Sequence, residues 1–240
     1  MLVPEPKYIA LNRRFHEFTA NEIAAPDQIA SRSEEYGFHG SLKWEQVLER
    51  KRVVMLASAG SGKSEEMRQQ TRRLITEGKQ AFYVRLEDLA KEPIEDLLLP
   101  ADQKQFLAWK RRSSTTAWFF LDSVDELKLS QNTLETALRC LHRSIQQYLD
   151  RAHVVVSSRP TDWRFASDEA TLLKWLPIPI RMVEKAEPTG EELFMEVISR
   201  EKHSEIKATF DGGGDSAQTL CTVWVRRQPD VISRNTHINQ

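Results

Sequence analysis

Residues 52–71 read RVVMLASAGSGKSEEMRQQT, and this stretch decides the fold of the chain. It begins with the apolar run Val53-Val54-Met55-Leu56, which is short, rich in β-branched residues and typical of a buried strand. A loop of small residues follows, and a segment rich in helix-forming residues starts at Lys63. The order of strand, glycine-containing loop and helix predicts a βα unit whose loop lies at the carboxyl end of the strand.

The loop is typical of a site that cradles phosphate groups. Its residues fit the P-loop pattern G-x-x-x-x-G-K-[ST], except that alanine stands where the first glycine is expected. The predicted phosphate-binding residues are Ala57, Ser58, Ala59, Gly60, Ser61, Gly62, Lys63 and Ser64. Glycines let successive backbone N–H groups converge on phosphate oxygens, and the N-terminus of the next helix adds partial positive charge. We expect Lys63 to neutralise the β- and γ-phosphates and the Ser64 hydroxyl to ligate Mg²⁺. The alternative, a flexible Gly/Ser linker before a lysine, is disfavoured by the flanking strand and helix.

The bulk composition is that of an ordinary globular protein. The chain has 240 residues, of which 40% are hydrophobic and 29% charged, and its net charge is -1. This balance indicates no attraction to nucleic acid or to anionic lipid. The two cysteines, Cys140 and Cys221, form no metal or disulfide pattern, and no stretch has the character of a signal peptide or a membrane span. We therefore expect a cytoplasmic protein with no membrane partner.

The chain divides into three parts by its local patterns. Residues 1–44 are predicted to form an N-terminal extension and a lead-in helix, in which Trp44 is expected to anchor packing rather than contact adenine. Residues 45–207 are predicted to form the nucleotide-binding domain, and residues 208–240 a poorly defined tail, with a truncated lid as one interpretation. Strands alternate with helices in the central part, and a fifth strand is expected at 178–183. This alternation predicts an α/β fold with a central parallel sheet of about five strands and helices on both faces.

The predicted strand at 117–121, the third along the chain, is followed by acidic residues. The apolar run at 117–121 is followed by Asp122, and Asp125 and Glu126 come a few residues later. Because the carboxyl ends of parallel strands meet at one edge, Asp122 is expected beside the phosphate loop, where it would hold Mg²⁺. Either Asp125 or Glu126 could orient or deprotonate an attacking water. The alternative is an acidic turn that caps the next helix.

The fourth predicted strand along the chain ends in the sequence Ser157-Ser158-Arg159-Pro160. These polar residues are expected near the same edge of the sheet. Arg159 could sense a γ-phosphate and stabilise the charge that develops on it. The alternative is a structural arginine that pairs with a local acid.

Taken together, the segments ASAGSGKS, WFFLDSVDEL and VVVSSRP resemble the Walker A, extended Walker B and sensor-1 motifs of NACHT-type STAND NTPases. The strand segment FYVRLEDL also resembles the segment between the two Walker motifs, and the resemblance covers about residues 45–185. It implies a P-loop NTPase fold of the ASCE division, with ATP at the carboxyl ends of the strands. It also implies that Lys63 and Ser64 bind phosphate and Mg²⁺, that Asp122 supports Mg²⁺, that Asp125 or Glu126 activates water, and that Arg159 senses the γ-phosphate.

The activity that this resemblance implies is hydrolysis of ATP to ADP and phosphate with Mg²⁺, in a signal-transducing protein that in bacteria often acts in antiviral defence. The implied partners are ATP or ADP and either a second copy of the chain or a sensor or effector protein. Family members usually carry a lid, a winged-helix region and a sensor array after the core, and only a short segment follows the fifth predicted strand here. The alternative function is therefore a nucleotide-gated interaction module, or a truncated fragment, that binds ATP or ADP as a switch and barely hydrolyses it. The trigger, the oligomeric state and the choice between Asp125 and Glu126 are left open by the sequence, and the preference for adenine rests on the resemblance.

Overall fold

The structure, a computed structural model, describes residues 15–17, 42–130, 132–178 and 221–225. The chain divides into two compact units, and the described residues lie in the first, Met1–Pro179 with Gln218–Gln228. Their centre is a sheet with the strand order β1-β6-β2-β5-β4-β3. The strands are β1 (Phe15–Glu17), β2 (Arg52–Leu56), β3 (Gln80–Arg85), β4 (Ala117–Asp122), β5 (Ala152–Ser158) and β6 (Cys221–Val225).

Four neighbouring strands of this sheet, β2, β5, β4 and β3, run parallel to one another. The prediction of an α/β protein with a parallel sheet is thereby confirmed, but its count of about five strands is corrected to four parallel strands among the described residues. Of the expected fifth strand, residues 179–183 lie outside the described residues. The second edge of β2 is covered instead by β6, which runs antiparallel to it. All five residues of β2 are buried, so its backbone groups need a hydrogen-bonding partner on both sides.

The helices alternate with the parallel strands along the chain, as expected. They are α1 (Trp44–Leu48), α2 (Lys63–Thr76), α3 (Leu86–Leu89), α4 (Ile94–Leu97), α5 (Pro100–Arg111), α6 (Val124–Leu129), α7 (Leu134–Ile145) and α8 (Phe165–Trp175), with a 3-10 helix at Gln146–Arg151. Pro100 occupies the first turn of α5, where its missing N–H costs nothing. Among the described helices, none combines the length and the apolar character that a bilayer crossing requires.

Helices cover both faces of the sheet and bury two apolar layers. Side chains alternate between the faces along each strand. One layer packs beneath α1 and α2 and includes Trp44, Val53, Met55, Met67, Leu74, Phe120 and Val155. The other packs beneath α3–α8 and includes Val54, Phe82, Phe106, Trp109, Phe119, Leu138 and Val154. Because crossovers between parallel strands are right-handed, connections that cross the sheet in opposite directions lie on opposite faces. The outward connection from β2 to β3 therefore places α2 on one face, and the returning connections place α3–α7 on the opposite face. Helix α1, which precedes β2, packs on the same face as α2.

Trp44 is buried and acts as a packing anchor, as expected. Its ring packs edge-on against Phe15, with 4.7 Å between centroids, and against Phe120 at 6.4 Å. Its indole N–H donates to Glu66 Oε1 on α2 at 2.7 Å. This hydrogen bond satisfies the one polar group of the ring and ties α1 to α2, the helix that follows the glycine-containing loop.

Candidate functional site

The predicted site segments meet at the carboxyl edge of the parallel strands. The register pairs Leu56 of β2 with Ser158 of β5, and Arg85 of β3 with Asp122 of β4. The loop after β2 continues along this edge, since the Ala57 N–H donates to the Ser158 carbonyl at 3.2 Å. The predicted phosphate loop, residues 57–64, is thus brought to the same edge of the sheet as the acidic segment after β4 and the polar end of β5.

Two glycines of the loop have left-handed backbones. The φ angles are 72° at Gly60 and 81° at Gly62, and Gly62 is the N-cap of α2. A Cβ atom on Gly60 would meet nothing within 4 Å, so the backbone rather than the space requires glycine there. Ala57 differs, because among the described residues other than glycine a positive φ occurs at Ser123 alone. Ala57 therefore has a backbone that any residue can adopt, and its methyl group is buried. This explains how alanine is tolerated where the P-loop pattern has glycine.

Lys63 begins α2 and folds back over the loop. Its side chain is almost buried, with 8% exposed, and its Nζ donates to the carbonyls of Ala57 at 2.8 Å and Ser58 at 2.9 Å. Ser64 follows it in the first turn of the helix and is half-buried. A positive charge is thus held inside the curve of the loop, at the end of α2 where the helix dipole is also positive.

Asp122, the last residue of β4, is held by hydrogen bonds from both neighbouring strands. It is 2% exposed. Its Oδ1 accepts from the Ser157 hydroxyl of β5 at 2.5 Å, and its Oδ2 accepts from the Tyr83 hydroxyl of β3 at 2.6 Å. Burial, and after it the hydrogen bond to Asp122, raises the pKa of the Tyr83 hydroxyl above its ordinary value. Tyr83 therefore stays protonated and remains a donor near neutral pH.

Ser157 and Tyr83 were not among the predicted site residues. Ser157 also accepts a hydrogen bond from the Ser123 N–H at 2.8 Å, so it links β5 both to Asp122 and to the turn that follows it. A polar residue at the end of the strand next to Asp122 was a usable signal for Ser157. Tyr83 gave no such signal, because its contact depends on the register between β3 and β4.

Asp125 and Glu126 lie in the first turn of α6 but in different surroundings. Asp125 is 6% exposed, and its Oδ1 is buried without a hydrogen-bond donor among the described residues. Glu126 is exposed and pairs with Arg85 of β3 at 2.8 Å between Oε2 and Nη2. The hydrogen bond to Glu126 raises the pKa of Arg85 above its ordinary value. The sequence left the choice between the two acids open, and the structure directs one inward and the other to the surface.

Arg159 follows β5 and pairs with Asp125. The Arg159 Nε and the Asp125 Oδ2 are 2.8 Å apart, and the Arg159 side chain is 41% exposed. The N–H does not point at the carboxylate, so the contact is an ion pair rather than a directed hydrogen bond. In the structure Arg159 therefore pairs with a local acid, Asp125, which is the alternative that the sequence left open. The pair lies at the same edge of the sheet as the predicted phosphate loop.

The donor set at this edge fits Mg²⁺. The described residues contain no group of three or more His, Cys, Asp or Glu side chains that could hold a metal. Mg²⁺ does not require one, since it keeps several waters and uses one or two protein ligands together with phosphate oxygens. An ionised aspartate offers about four acceptor sites, and Tyr83 and Ser157 occupy two of those on Asp122. Ser64 and Asp122 therefore have the chemistry that such an ion needs.

The sequence matches none of the known protein-family models and no curated protein. A function for the chain therefore has to be inferred from its own residues and their geometry.

Proposed function

We propose that this chain is a cytoplasmic P-loop NTPase of the NACHT type, which binds ATP with Mg²⁺ and hydrolyses it to ADP and phosphate. The observation that carries the proposal is the almost buried Lys63, folded over the carbonyls of a glycine loop at the start of a helix. The buried Asp122 at the same sheet edge supports it further. Lysine, helix N-terminus and carboxylate together form a site for a polyphosphate and its metal.

Binding would exchange contacts that the loop now makes with itself. The Lys63 ammonium would leave the Ala57 and Ser58 carbonyls for phosphate oxygens, which carry more negative charge. Ser64 and Asp122 would hold Mg²⁺, which when bound neutralises charge on the β- and γ-phosphates. The left-handed backbones at Gly60 and Gly62 shape the loop so that its N–H groups can converge on an anion.

Asp125 is a stronger candidate than Glu126 for activating water. Its buried Oδ1 is an acceptor without a donor among the described residues, and a water molecule can supply that donor. In the reaction, the water oxygen bonds to the γ-phosphorus, the bond from that phosphorus to the bridging oxygen breaks, and Asp125 accepts the proton. Glu126 is engaged at the surface with Arg85, which makes it less suited to this role.

Arg159 would stabilise the negative charge on the γ-phosphate. Its half-exposed side chain can turn toward an anion, although it now lies against Asp125. The phosphate and the Asp125 carboxylate would compete for the same cation. Nucleotide binding would therefore release Asp125 at the moment when a base is needed.

The second candidate function, a nucleotide-gated module with little hydrolysis, is favoured by one specific observation. The carboxylate best placed to act as a base is neutralised by the ion pair with Arg159. If that pair persists with ATP bound, the chain would bind nucleotide without turning it over. On the resemblance to NACHT-type proteins, we further propose that a second copy or a sensor or effector partner reads the nucleotide state, including in antiviral defence.

Calorimetric titration of the full chain with ATP and Mg²⁺ tests the binding site. Lys63→Ala should lose binding by at least about tenfold, since a charge-assisted hydrogen bond contributes roughly 1.5–3 kcal/mol. Lys79→Ala is the matched control, because Lys79 lies beyond the other end of α2, is exposed and pairs with Glu77. Wild-type affinity in Lys63→Ala would refute the phosphate site.

Phosphate release measured on the same proteins separates the two functions. Asp125→Asn should bind ATP but slow its hydrolysis by about 10²-fold or more, as expected for loss of a general base. Glu126→Gln should remain near the wild-type rate. Equal rates in wild type and Asp125→Asn would instead support the interaction module.

A further inference from the structure

We propose that Tyr83 is a positioning residue that orients the Asp122 carboxylate toward the divalent cation of the bound nucleotide. The inference rests on the proposed function and adds to it a residue from β3, a strand that carries no part of the phosphate loop. It is carried by the hydrogen bond of 2.6 Å from the Tyr83 hydroxyl to Asp122 Oδ2.

The sheet geometry explains how the tyrosine reaches the aspartate. Tyr83 is the register partner of Phe120, and Asp122 lies two residues beyond Phe120 on the same strand. Residues two apart along a strand share a face, and such diagonal neighbours lie about 7–8 Å apart, within reach of an aromatic side chain. Phe120 packs in the layer beneath α2, and Tyr83 packs against the same layer. Tyr83 and Asp122 are therefore on the face that carries the helix of the phosphate loop.

The carboxylate is fixed from two sides. Ser157 of β5 donates to Oδ1 while Tyr83 of β3 donates to Oδ2, so a rotation of the carboxylate would break both hydrogen bonds. Both donors are neutral hydroxyl groups, and together they use only two of the acceptor sites that a carboxylate offers. Groups that hydrogen-bond a metal-binding side chain in this way set its orientation, and their loss typically weakens metal binding by about 10–100-fold.

Tyr83 is itself held in place, which a positioning residue requires. The guanidinium of Arg68 on α2 lies over its ring, 4.8 Å from the centroid. The ring is half-buried against the layer beneath α2. Tyr83→Phe would keep the ring, its packing and the cation contact, and would remove only the hydroxyl.

The test is a Mg²⁺ titration of the full chain in the presence of ATP with a fluorescent label, with binding read as fluorescence anisotropy. In Tyr83→Phe the Mg²⁺ midpoint should rise by about tenfold, while affinity for the labelled ATP in EDTA stays at the wild-type value. Ser157→Ala should raise the midpoint in the same direction, and Ser157→Thr should restore it. Tyr148→Phe is the matched control, because Tyr148 packs against Trp109 in the apolar layer on the opposite face of the sheet from Tyr83.

Three results would overturn the inference. An unchanged Mg²⁺ midpoint in Tyr83→Phe would show that the hydroxyl does not position Asp122. An equal loss of affinity with Mg²⁺ and in EDTA would show a general structural role. Both results leave the proposed ATP site intact, whereas a wild-type chain that binds no labelled ATP at any Mg²⁺ concentration would refute the proposed function together with the inference.

Discussion

His153 is a single buried residue whose ionisation should control stability in acid. It lies at the amino end of β5 and is 8% exposed, with its Nδ1 2.9 Å from the Arg50 carbonyl and its Nε2 3.1 Å from the Lys51 ammonium. Burial, and then the positive charge of Lys51, lowers its pKa from 6.5 to about 4. These contacts suit a neutral ring whose Nδ1–H donates to the carbonyl and whose Nε2 accepts from the lysine.

The expected result is a loss of stability between pH 6.5 and pH 4. Because the folded pKa lies below the unfolded one, the unfolded chain binds more protons in this window. The contribution of His153 is complete above pH 6.5 and is lost as the pH falls toward 4. It amounts to at most about 3 kcal/mol, at 1.36 kcal/mol per pKa unit. Urea unfolding at several pH values measures it, and His153→Gln should flatten the profile. An identical profile in the variant would contradict the assignment.

Individual site residues were predictable from sequence where the strand pattern alone fixes their place. Asp122 comes directly after an apolar run, and Lys63 begins the helix that follows the first strand and its loop, so the edge on which they lie follows from the alternation of strands and helices. Tyr83 was not predictable, because its role depends on strand register. The different surroundings of Asp125 and Glu126 depend on the turn at Ser123, where φ is 67°. They were not predictable, because no local sequence pattern indicates that turn.

At the scale of elements, helix α2 lies between two turns that each contain a glycine with a left-handed backbone. Replacing one or the other glycine by alanine allows the effect of the same change to be compared at the two ends of the helix. Gly60 precedes the helix with φ 72°, and Gly78 follows it with φ 76°. A Cβ atom at either position would meet nothing within 4 Å. Replacement by alanine should therefore cost backbone energy alone, about 1–2 kcal/mol at each site.

Nucleotide affinity should separate the two variants. Gly60→Ala should lose stability and also weaken ATP binding by about tenfold, because the loop N–H groups are redirected. Gly78→Ala should lose similar stability in urea unfolding and bind ATP like wild type. Equal ATP affinity in both variants would mean that the backbone at Gly60 does not shape a phosphate site.

Elements whose signal is local were predicted, and the two strands that depend on distant pairing, β1 and β6, were not. Strands β2 to β5 each contain a run of β-branched, aromatic or other apolar residues, and all four were predicted from the sequence. Strand β6 is short and lies in a segment without periodicity, so its existence depends on pairing with β2, far earlier in the chain. No local signal could supply that partner.

At the scale of the whole molecule, β6 pairs with the side of β2 that faces away from β5, so that β2 is not an edge strand. The register pairs Val53 to Leu56 with residues 225 to 222, and β1 pairs with the other side of β6. Without β6, the buried apolar strand β2, which leads into the proposed phosphate loop, would have one side without a hydrogen-bonded partner strand. Such edges pair with other chains and promote aggregation.

Two truncations test this role of β6. A chain that ends at Gly214 lacks β6, and a control chain that ends at Gln228 keeps it. Four antiparallel residue pairs carry about four backbone hydrogen bonds, so the shorter chain should lose roughly 4 kcal/mol at about 1 kcal/mol per bond. Thermal unfolding and size-exclusion chromatography should show an earlier transition and higher oligomers for the chain ending at Gly214, and a near wild-type profile for the control. If the shorter chain stayed monomeric with an unchanged midpoint, β2 would not depend on β6, and the four parallel strands would support the phosphate loop by themselves.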